Sequence, residues 1–335
     1  MDSLRRRPLS PAVAEIRLAV RTALADVPDG ATVMVALSGG ADSLALTAAT
    51  VFEARSRDMR VLSLTVDHQL QDGSDLIAAG AAVAAEGIGV HDALQTKVDV
   101  RDRGEGLEAA AREARYAALR SIARAEQAAG VLLGHTLDDQ AETVLLGLAR
   151  GSGATSLQGM PPVRTDEDGT RWLRPLLSVR RTTTRAFCAA SDLEVWDDPH
   201  NVDPRFTRVR VRERVLPVME EELGPGIAEA LARTAEQLRE DAEAFDEMIH
   251  ETIEDIVEHA EAGISVSAAA LAANPAALRN RIIRLVVDSE FGVALTRRQT
   301  LEVARLVTEW SGQGPIDLPA CTAARVGGRI VFAAR

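Results

Sequence analysis

The sequence predicts an α/β protein: a doubly wound parallel sheet followed by a mainly helical C-terminal domain. Three short apolar runs rich in β-branched residues have the length of strands, and they cover residues 32–37, 61–66 and 131–133. Alanine-rich segments of helical character lie between them, at residues 44–55, 75–86 and 107–128. Because strands that alternate with helices form βαβ units, we expect a parallel sheet with helices on both faces.

The character of the sequence changes after about Asp197. Pro199, Pro204 and Pro217 interrupt an arginine-rich stretch, and Gly224-Pro225-Gly226 follows. Helical periodicity then covers residues 227–259, 276–288 and 297–310, and residues 325–332 are typical of a hairpin. We therefore expect one domain over residues 1–217 and a mainly helical domain over residues 218–335 that ends in a small hairpin.

Composition argues against several classes of protein. The net charge of −12 is unlike that of a protein that coats nucleic acid, although a local basic groove is compatible with it. No apolar run reaches membrane-spanning length, and Glu15 and Arg17 interrupt the region that would follow residues 5–7 in a signal peptide. We expect a cytoplasmic protein with no membrane partner.

Cysteine and lysine usage narrows the chemistry further. Cys188 and Cys321 form no CxxC pair, so we expect neither a disulfide framework nor a cysteine-built metal or iron–sulfur site. Lys97 is the only lysine, so the chain has no Walker A lysine.

The string Ser38-Gly39-Gly40-Ala41-Asp42-Ser43 follows the first predicted strand and precedes a helix. Two glycines let the backbone turn tightly, and successive N–H groups at a helix N-terminus bind anions. The hydroxyls of Ser38 and Ser43 add donors, and the carboxylate of Asp42 could orient a magnesium ion or the reacting phosphate. A capped tight turn is the alternative, but the full string favours phosphate binding.

This string resembles the SGGxDS loop of the N-type ATP pyrophosphatases, or PP-loop enzymes. The resemblance implies a Rossmann-like sheet and ATP as co-substrate, cleaved between its α and β phosphates. The loop alone does not distinguish NAD synthetases, argininosuccinate synthetases, sulfur-transferring tRNA enzymes and lysidine synthetases.

A second polar string, residues 134–143, follows the third predicted strand. On a helix, His135, Asp138, Asp139 and Glu142 lie at i, i+3, i+4 and i+7, which is one face. Three acids and a histidine on a face expected to be apolar indicate a site for a metal ion or an amine. Capping of the helix N-terminus is the alternative, and it explains one acid rather than three. The string resembles the HxxDDQxET element of the tRNA(Ile)-lysidine synthetases.

Residues 106–116 form a third motif, with Glu108, Arg112 and Arg115 on one helix face. Taken alone this is typical of an ordinary salt-bridged helix. It also resembles the LExxAREARY helix of the same family, in which arginine is expected near substrate and phosphate. Arg112 is the candidate for that role.

The fourth motif is rich in arginine and lies within residues 197–217. Arginine pairs bidentately with phosphate and stacks on bases, so the segment is a candidate tRNA contact. A solvated basic surface is the alternative. The candidate tRNA-binding residues are Arg205, Arg208, Arg210 and Arg212.

The fourth motif resembles the DxSNxDxxFxRNxIRxxxxP boundary segment of the family, with two departures. His200 stands where serine is usual, and Val209 stands where asparagine is usual. Residues 66–71 similarly resemble VDHGLR, with Gln69 and Gln71 replacing glycine and arginine.

Together the motifs make the chain similar to the tRNA(Ile)-lysidine synthetases from the first strand to Pro217. The resemblance implies a ligase that adenylates the C2 oxygen of the wobble cytidine in the CAU anticodon of tRNA(Ile). Free L-lysine then attacks C2 and AMP leaves, with ATP as co-substrate and Mg²⁺ as cofactor. The implied ATP-binding residues are 38–43, His68 and His135; the implied catalytic residues are Asp42, Arg112, Asp138, Asp139 and Glu142, with Asp42 also a candidate metal ligand.

Two other functions are the alternatives to this one, a tRNA sulfur transferase and a non-catalytic binding module. A PP-loop tRNA sulfur transferase needs a persulfide-carrying cysteine or a cysteine-held cluster, and we expect Cys188 and Cys321 to lie outside the strand-end motifs. A non-catalytic nucleotide- or RNA-binding module would be expected to have lost Asp42 or the three acids of the second motif. The oligomeric state stays open, a homodimer included.

Overall fold

A computed structural model of the chain describes residues 9–69, 73–100, 106–151, 153–198, 202–260 and 263–335. They form two compact units, one ending at Arg239 and one running from Glu240 to Arg335. Two of the four departures from the family pattern, Gln71 and His200, lie outside the described residues. In the part of the chain that is described, no helix is both long and apolar enough to cross a membrane.

The first unit is built on a six-stranded sheet with the strand order β3-β2-β1-β4-β6-β5. Its strands are β1 (Thr32–Leu37), β2 (Arg60–Asp67), β3 (Asp92–Lys97), β4 (Gly130–Leu132), β5 (Val163–Thr165) and β6 (Arg171–Leu173). All neighbours pair in parallel except β5, which is antiparallel to β6. The sequence predicted β1, β2 and β4 but not the other three strands.

Helices cover both faces of this sheet. They are α1 (Pro11–Ala23), α2 (Ala41–Ala54), α3 (Ser74–Ile88), α4 (Leu107–Ala125), α5 (Leu137–Ala149), α6 (Ala154–Leu157), α7 (Arg181–Ala190), α8 (Thr207–Arg210) and α9 (Leu216–Leu223), with a π-helical turn at Val211–Val215. Buried side chains of α1, α2, α3 and α7 share one apolar core, and those of α4 lie in another with β2 and β4. The predicted doubly wound α/β fold is therefore confirmed.

The order of the strands determines where a ligand can bind. Chain order runs outward from β1 to β2 and β3 in one direction, and from β1 to β4 and β6 in the other. Ligands of such sheets bind at the carboxyl ends of the strands where this direction reverses. The first and second motifs follow β1 and β4 directly, so both lie at that position.

The second unit combines helices with an antiparallel sheet. The long helix α10 (Ile227–Ile256) begins in the first unit and continues into the second. It is followed by β7 (Val257–Ala260), β8 (Gly263–Ser267), α11 (Ala268–Ala273), α12 (Ala276–Phe291), α13 (Arg297–Thr308), β9 (Ile316–Asp317), β10 (Cys321–Val326) and β11 (Arg329–Ala334). The sheet order is β7-β8-β11-β10-β9, with Ile264, Val266 and Phe332 in its core. The helices agree with the sequence prediction, whereas a five-stranded sheet was not expected.

A tight turn joins β10 to β11 in this unit. Val326 pairs with Arg329, and the two residues between them, Gly327 and Gly328, have φ angles of 54° and 82°. Both angles lie in the left-handed region that favours glycine, which is why this dipeptide makes a two-residue hairpin.

Candidate active site

The loop after β1 has the geometry of an anion-binding turn. Gly39 has a φ of 82°, and α2 starts at Ala41 with no described side chain capping its N-terminus. The hydroxyl of Ser43 accepts from the backbone N–H of Ser38 at 3.2 Å and donates to the carbonyl of Gly40 at 2.9 Å, which closes the loop from within. The first N–H groups of α2 therefore stay available to an anion.

The first and second motifs contact each other. A Cβ atom added to Gly134 would lie 3.2 Å from the carbonyl carbon of Asp42 and 3.3 Å from the backbone nitrogen of Ser43. Both are backbone atoms, so a side chain at this strand end would require the start of α2 to shift by a few tenths of an ångström. The residues that follow Gly134 are thereby held against the start of α2.

Asp139 caps the helix that follows β4. Its Oδ2 accepts from both the backbone nitrogen and the hydroxyl of Thr136, each at 2.8 Å, in a capping box. Because Thr136 is the N-cap and α5 begins at Leu137, His135 lies before the helix. The expectation that His135 shares a helix face with the three acids is therefore wrong, while the acids themselves do lie on α5.

One arginine, Arg181 at the start of α7, contacts all four candidate carboxylates. Its guanidinium lies 2.8 Å from Asp139, 3.5 Å from Glu142 and 3.5 Å from Asp42, and its backbone N–H donates to Asp138 at 2.8 Å. Three of these acids come from one helix and the fourth from the candidate phosphate-binding loop of residues 38–43. Arg181 therefore connects the two motifs through its charge.

Further arginines bind the same acids, and two of them were predicted to bind tRNA. Arg212, in the π-helical turn, holds Glu142 bidentately at 2.7 and 3.1 Å. Arg208 lies 3.3 Å from Glu142 and donates to the hydroxyl of Thr143, and Arg180 lies 3.5 Å from Asp138. The side chains of Arg208 and Arg212 are thus engaged inside the protein rather than displayed on a free basic surface.

The four carboxylates are therefore paired with arginine side chains or backbone N–H groups. Burial would raise the pKa of Asp139, but Arg181 and the Thr136 N–H outweigh it and hold that pKa below its usual value. Asp139 and Glu142 in turn raise the pKa of Arg181 despite its burial. Asp42 differs, since burial raises its pKa in spite of a hydrogen bond from Thr184 and the nearby Arg181 charge.

Two histidines lie at the ends of the two strands that flank β1, and both positions at strand ends were predicted. His68 follows β2 and His135 follows β4, and each has a buried Nδ1 with no hydrogen-bond partner among the described residues. Burial lowers the pKa of both imidazoles, and that of His135 falls to about 3, with Arg115, Arg174 and Arg112 adding to the effect and Asp139 opposing it. Both rings are therefore neutral at pH 7.

We expect His135 to make the fold less stable in mild acid. The unfolded state takes up a proton near pH 6.5, whereas folded His135 stays neutral down to about pH 3. Stability therefore falls as pH drops below about 6.5, and at pH 5.5 the cost is about 1 kcal/mol. Urea unfolding of the wild type and of His135→Gln at pH 7.5 and 5.5 measures this. Equal pH dependence in the two proteins would rule out the buried, neutral state of His135.

The other candidate arginines bind partners that are close to them in the sequence. Arg112 is exposed, lies over the ring of Tyr116 at 4.9 Å and donates to its hydroxyl at 3.3 Å. Arg205 pairs with Asp203, and Arg210 donates to the carbonyls of Pro204 and Arg205. Arg205 keeps 81% of its side chain exposed, so of the four predicted tRNA contacts it is the most accessible.

Two departures from the family pattern have a structural account. Gln69 adopts a φ of 55°, in the region that favours glycine, and its N–H donates to Asp67 at 2.8 Å. This explains why glycine is the usual residue there. Val209 is buried, so an apolar side chain is accommodated at the position where asparagine is usual.

Cys188 lies closer to the site than the sequence indicated. Its Sγ donates to the carbonyl of Ala41 at 3.4 Å, so the expectation that it lies away from the strand-end motifs is wrong. The thiol is buried, and burial together with the charge of Asp42 raises its pKa to about 11. A thiol that stays protonated and inaccessible is a poor sulfur carrier.

Sequence reasoning missed three residues that the structure brings to the site. Arg181 and Thr184 both contact Asp42, and Arg174 directly follows β6 and its charge lowers the pKa of His135. All three belong to residues 171–190, where the sequence prediction placed no element. The adjacent arginines at 180 and 181 were the only signal, and a pair of arginines alone is typical of a solvated surface.

Comparison with known proteins agrees with these motifs. Residues 14–219 match the PP-loop domain family, and residues 267–331 match the TilS substrate binding domain family. A tRNA(Ile)-lysidine synthase from Leifsonia xyli subsp. xyli is 58% identical over 304 residues, with 90% of each chain covered. The enzyme of the same name from Rhodococcus erythropolis is 48% identical over 331 residues, with 97% of each chain covered.

A solved structure shares the fold. The U34-tRNA thiolase NcsA from Methanococcus maripaludis, solved with its 4Fe-4S cluster, superposes with a TM-score of 0.57 over 68% of this chain and 80% of its own. The two sequences are 18% identical, so the likeness concerns the fold alone.

Proposed function

The chain belongs to the tRNA(Ile)-lysidine synthase family, and from this premise we propose how its residues divide the two steps of the reaction. It is a ligase that forms a carbon–nitrogen bond in the ATP-dependent synthesis of lysidine on tRNA(Ile). The packing of Gly134 against Asp42 supports this assignment of residues to the two steps, because the loop of residues 38–43 then lies beside the cluster of acids.

We assign activation of the cytidine to the loop of residues 38–43. Its glycine turn and the N-terminus of α2 supply N–H donors for the phosphates of ATP. The C2 oxygen of the wobble cytidine attacks the α-phosphate, and pyrophosphate leaves. A ring carbonyl oxygen is a poor leaving group, and the attached AMP makes it a good one. His68 and His135 are the proposed nucleotide contacts, with Arg112 nearby to offset phosphate charge.

The second step is attack on C2 by the ε-amine of free L-lysine, with departure of AMP. The ammonium must first lose a proton, because its usual pKa is about 10.4. Glu142 has no exposed side-chain surface and binds Arg212, whereas the side chain of Asp138 is 19% exposed. We therefore assign contact with the ammonium to Asp138, while Asp139 and Glu142 position the surrounding arginines.

Magnesium is proposed to enter with the triphosphate. Among the residues that the structure describes, no group of three or more His, Cys, Asp or Glu side chains is arranged to hold a metal ion. Asp42 offers one carboxylate beside the loop, and Mg²⁺ in nucleotide sites is typically held by one or two carboxylates plus phosphates. The residues present fit that arrangement, in which bound Mg²⁺ would screen the phosphate charge.

Recognition of tRNA is assigned to the arginine segment and to the C-terminal part of the chain. Arg205 and Arg210 are the proposed phosphate contacts, since Arg208 and Arg212 are engaged with Glu142. Residues 218–335, which include the match to a substrate binding domain, are the proposed tRNA-binding domain. A cytoplasmic location and a homodimer stay predictions.

We expect the protein to incorporate radiolabelled lysine into unmodified tRNA(Ile) bearing a CAU anticodon when ATP and Mg²⁺ are present. Methionine tRNA with the same anticodon is the control, because it offers the same cytidine in another tRNA body. Label in the isoleucine tRNA only, and only with ATP, is the expected result.

Formation of AMP without incorporation of lysine would contradict the proposed nucleophile while leaving the PP-loop chemistry in place. Sulfur transfer, the alternative within the same superfamily, is the weaker interpretation because the Cys188 thiol is buried and protonated.

A further inference from the structure

Arg174 is a buried charge with no acid to pair with. Only 4% of the residue is exposed; one guanidinium nitrogen donates to the carbonyl of Pro161 at 2.8 Å, and Nε has no partner among the described residues. No described carboxylate forms an ion pair with it. Burying a guanidinium without an anion is costly, and burial lowers the pKa of Arg174, although a hydrogen bond with Tyr116 opposes the effect.

The fold places Arg174 at the carboxyl edge of the sheet. It follows Leu173 of β6, whose carbonyl accepts from the N–H of Leu133 at the end of β4. The phosphate-binding loop, His135 and Arg174 thus follow three adjacent strands, β1, β4 and β6. Strands lie about 4.8 Å apart, so Arg174 is roughly 10 Å from the loop along this edge.

Arg115 adds a second unpaired guanidinium at the same edge. It lies in the third turn of α4, its Nε is buried without a partner among the described residues, and burial lowers its pKa. Arg112, about one turn earlier, is exposed and donates a hydrogen bond to Tyr116. The charges of all three arginines act on His135.

Among the described groups whose charges act most strongly on His135, three are arginines and one is an acid. That acid, Asp139, already binds Arg181 and Thr136. In the described part of the chain no carboxylate forms an ion pair with Arg174 or Arg115, and the Nε atom of each is buried without a partner. Such an excess, with unused N–H donors, is the chemistry of a phosphate site, because guanidinium groups bind phosphate in paired hydrogen bonds.

We propose that Arg174 and Arg115, beside His135, form a phosphate subsite distinct from the loop of residues 38–43. This inference rests on the proposed function, which brings two sources of phosphate to the sheet edge: the nucleotide and the backbone of the tRNA. Either source supplies the anion that the two guanidinium groups lack.

The test compares Arg174→Met with Arg171→Met. Arg171 is the first residue of β6, at the opposite edge of the sheet from Arg174 and half-buried near Asp26, so it controls for loss of an arginine from this part of the chain. Arg174→Lys restores the charge without the paired donors. ATP binding and binding of unmodified tRNA(Ile) without ATP are measured separately, together with Tm, and none of these readouts requires lysine transfer.

Arg174→Met should weaken one of the two ligands by about 10- to 100-fold, the loss expected for a charged hydrogen bond, with partial recovery in Arg174→Lys. Loss confined to ATP assigns the phosphate to the nucleotide; loss confined to tRNA, with a shallower dependence on salt, assigns it to the RNA backbone. Because the wild-type charge is uncompensated, Tm should not fall below that of Arg171→Met. Unchanged binding of both ligands, or weaker binding of both with a lower Tm, would overturn the proposal.

Discussion

Replacing Asp42 with asparagine is expected to slow ATP-dependent pyrophosphate release by at least about 100-fold, the range seen when one charge-stabilising group is removed from an active site. The amide keeps the volume of the carboxylate and an oxygen that can accept from Thr184. The substitution removes the negative charge that faces Arg181. It also removes the carboxylate that the loop could offer to a metal ion. Release of pyrophosphate in single-turnover reactions measures the effect.

Asp58→Asn is the matched control for this variant. Asp58 follows the opposite end of α2 and has a φ of 51°, a conformation that asparagine tolerates. It should retain wild-type turnover, and both variants should keep the wild-type Tm. Undiminished pyrophosphate release by Asp42→Asn would refute the assignment of the loop.

Arg181→Met is expected to abolish lysine transfer and to destabilise the first unit by about 3–5 kcal/mol, the cost of leaving buried charges unpaired. The change removes the guanidinium that lies within 3.5 Å of Asp42, Asp139 and Glu142. Lysine incorporation and urea unfolding measure the two effects. Arg181→Lys should be intermediate, because one ammonium cannot contact all three carboxylates as a guanidinium does.

The pH dependence distinguishes this loss of charge pairing from loss of packing. Arg181 helps to hold the pKa of Asp139 below its usual value, so ionised Asp139 stabilises the fold above pH 4 and that stability is lost as pH falls. The deficit of Arg181→Met should therefore be largest near pH 7.5 and shrink toward pH 4. Arg180→Met, which loses longer contacts of 3.5 and 3.6 Å, is the control. A deficit that does not change with pH would count against the electrostatic role of Arg181.

The parts of the fold that were predicted are those with a strong local pattern. β1, β2 and β4 are buried apolar runs, and each is visible in the sequence without knowledge of its neighbours. β3 has the sequence Asp-Ala-Leu-Gln-Thr-Lys, lies at a sheet edge and buries no residue fully, so no apolar run marks it. Its existence depends on pairing with β2, which is a tertiary contact.

In the candidate site, too, the features set by local spacing were predicted, whereas those set by tertiary contacts were not. Helical spacing correctly grouped Asp138, Asp139 and Glu142, because four residues make about one turn. The position of His135 depended on whether Thr136 capped the helix, which spacing alone does not decide. The arginines that neutralise the acids are 39 to 70 residues distant in sequence, so their pairing could be seen only in the folded chain.

The contacts of Arg181 make the two halves of the site thermodynamically dependent on each other. Its guanidinium is a counter-ion shared between Asp42, in the proposed nucleotide loop, and the acids of α5. A ligand whose phosphates attract this guanidinium would leave the acids with less positive charge and a stronger affinity for an incoming ammonium. Linked equilibria are reciprocal, so whatever factor ATP contributes to lysine binding, lysine returns to ATP binding. An exchanged counter-ion can thus favour joint occupancy by the two substrates without any movement of the sheet.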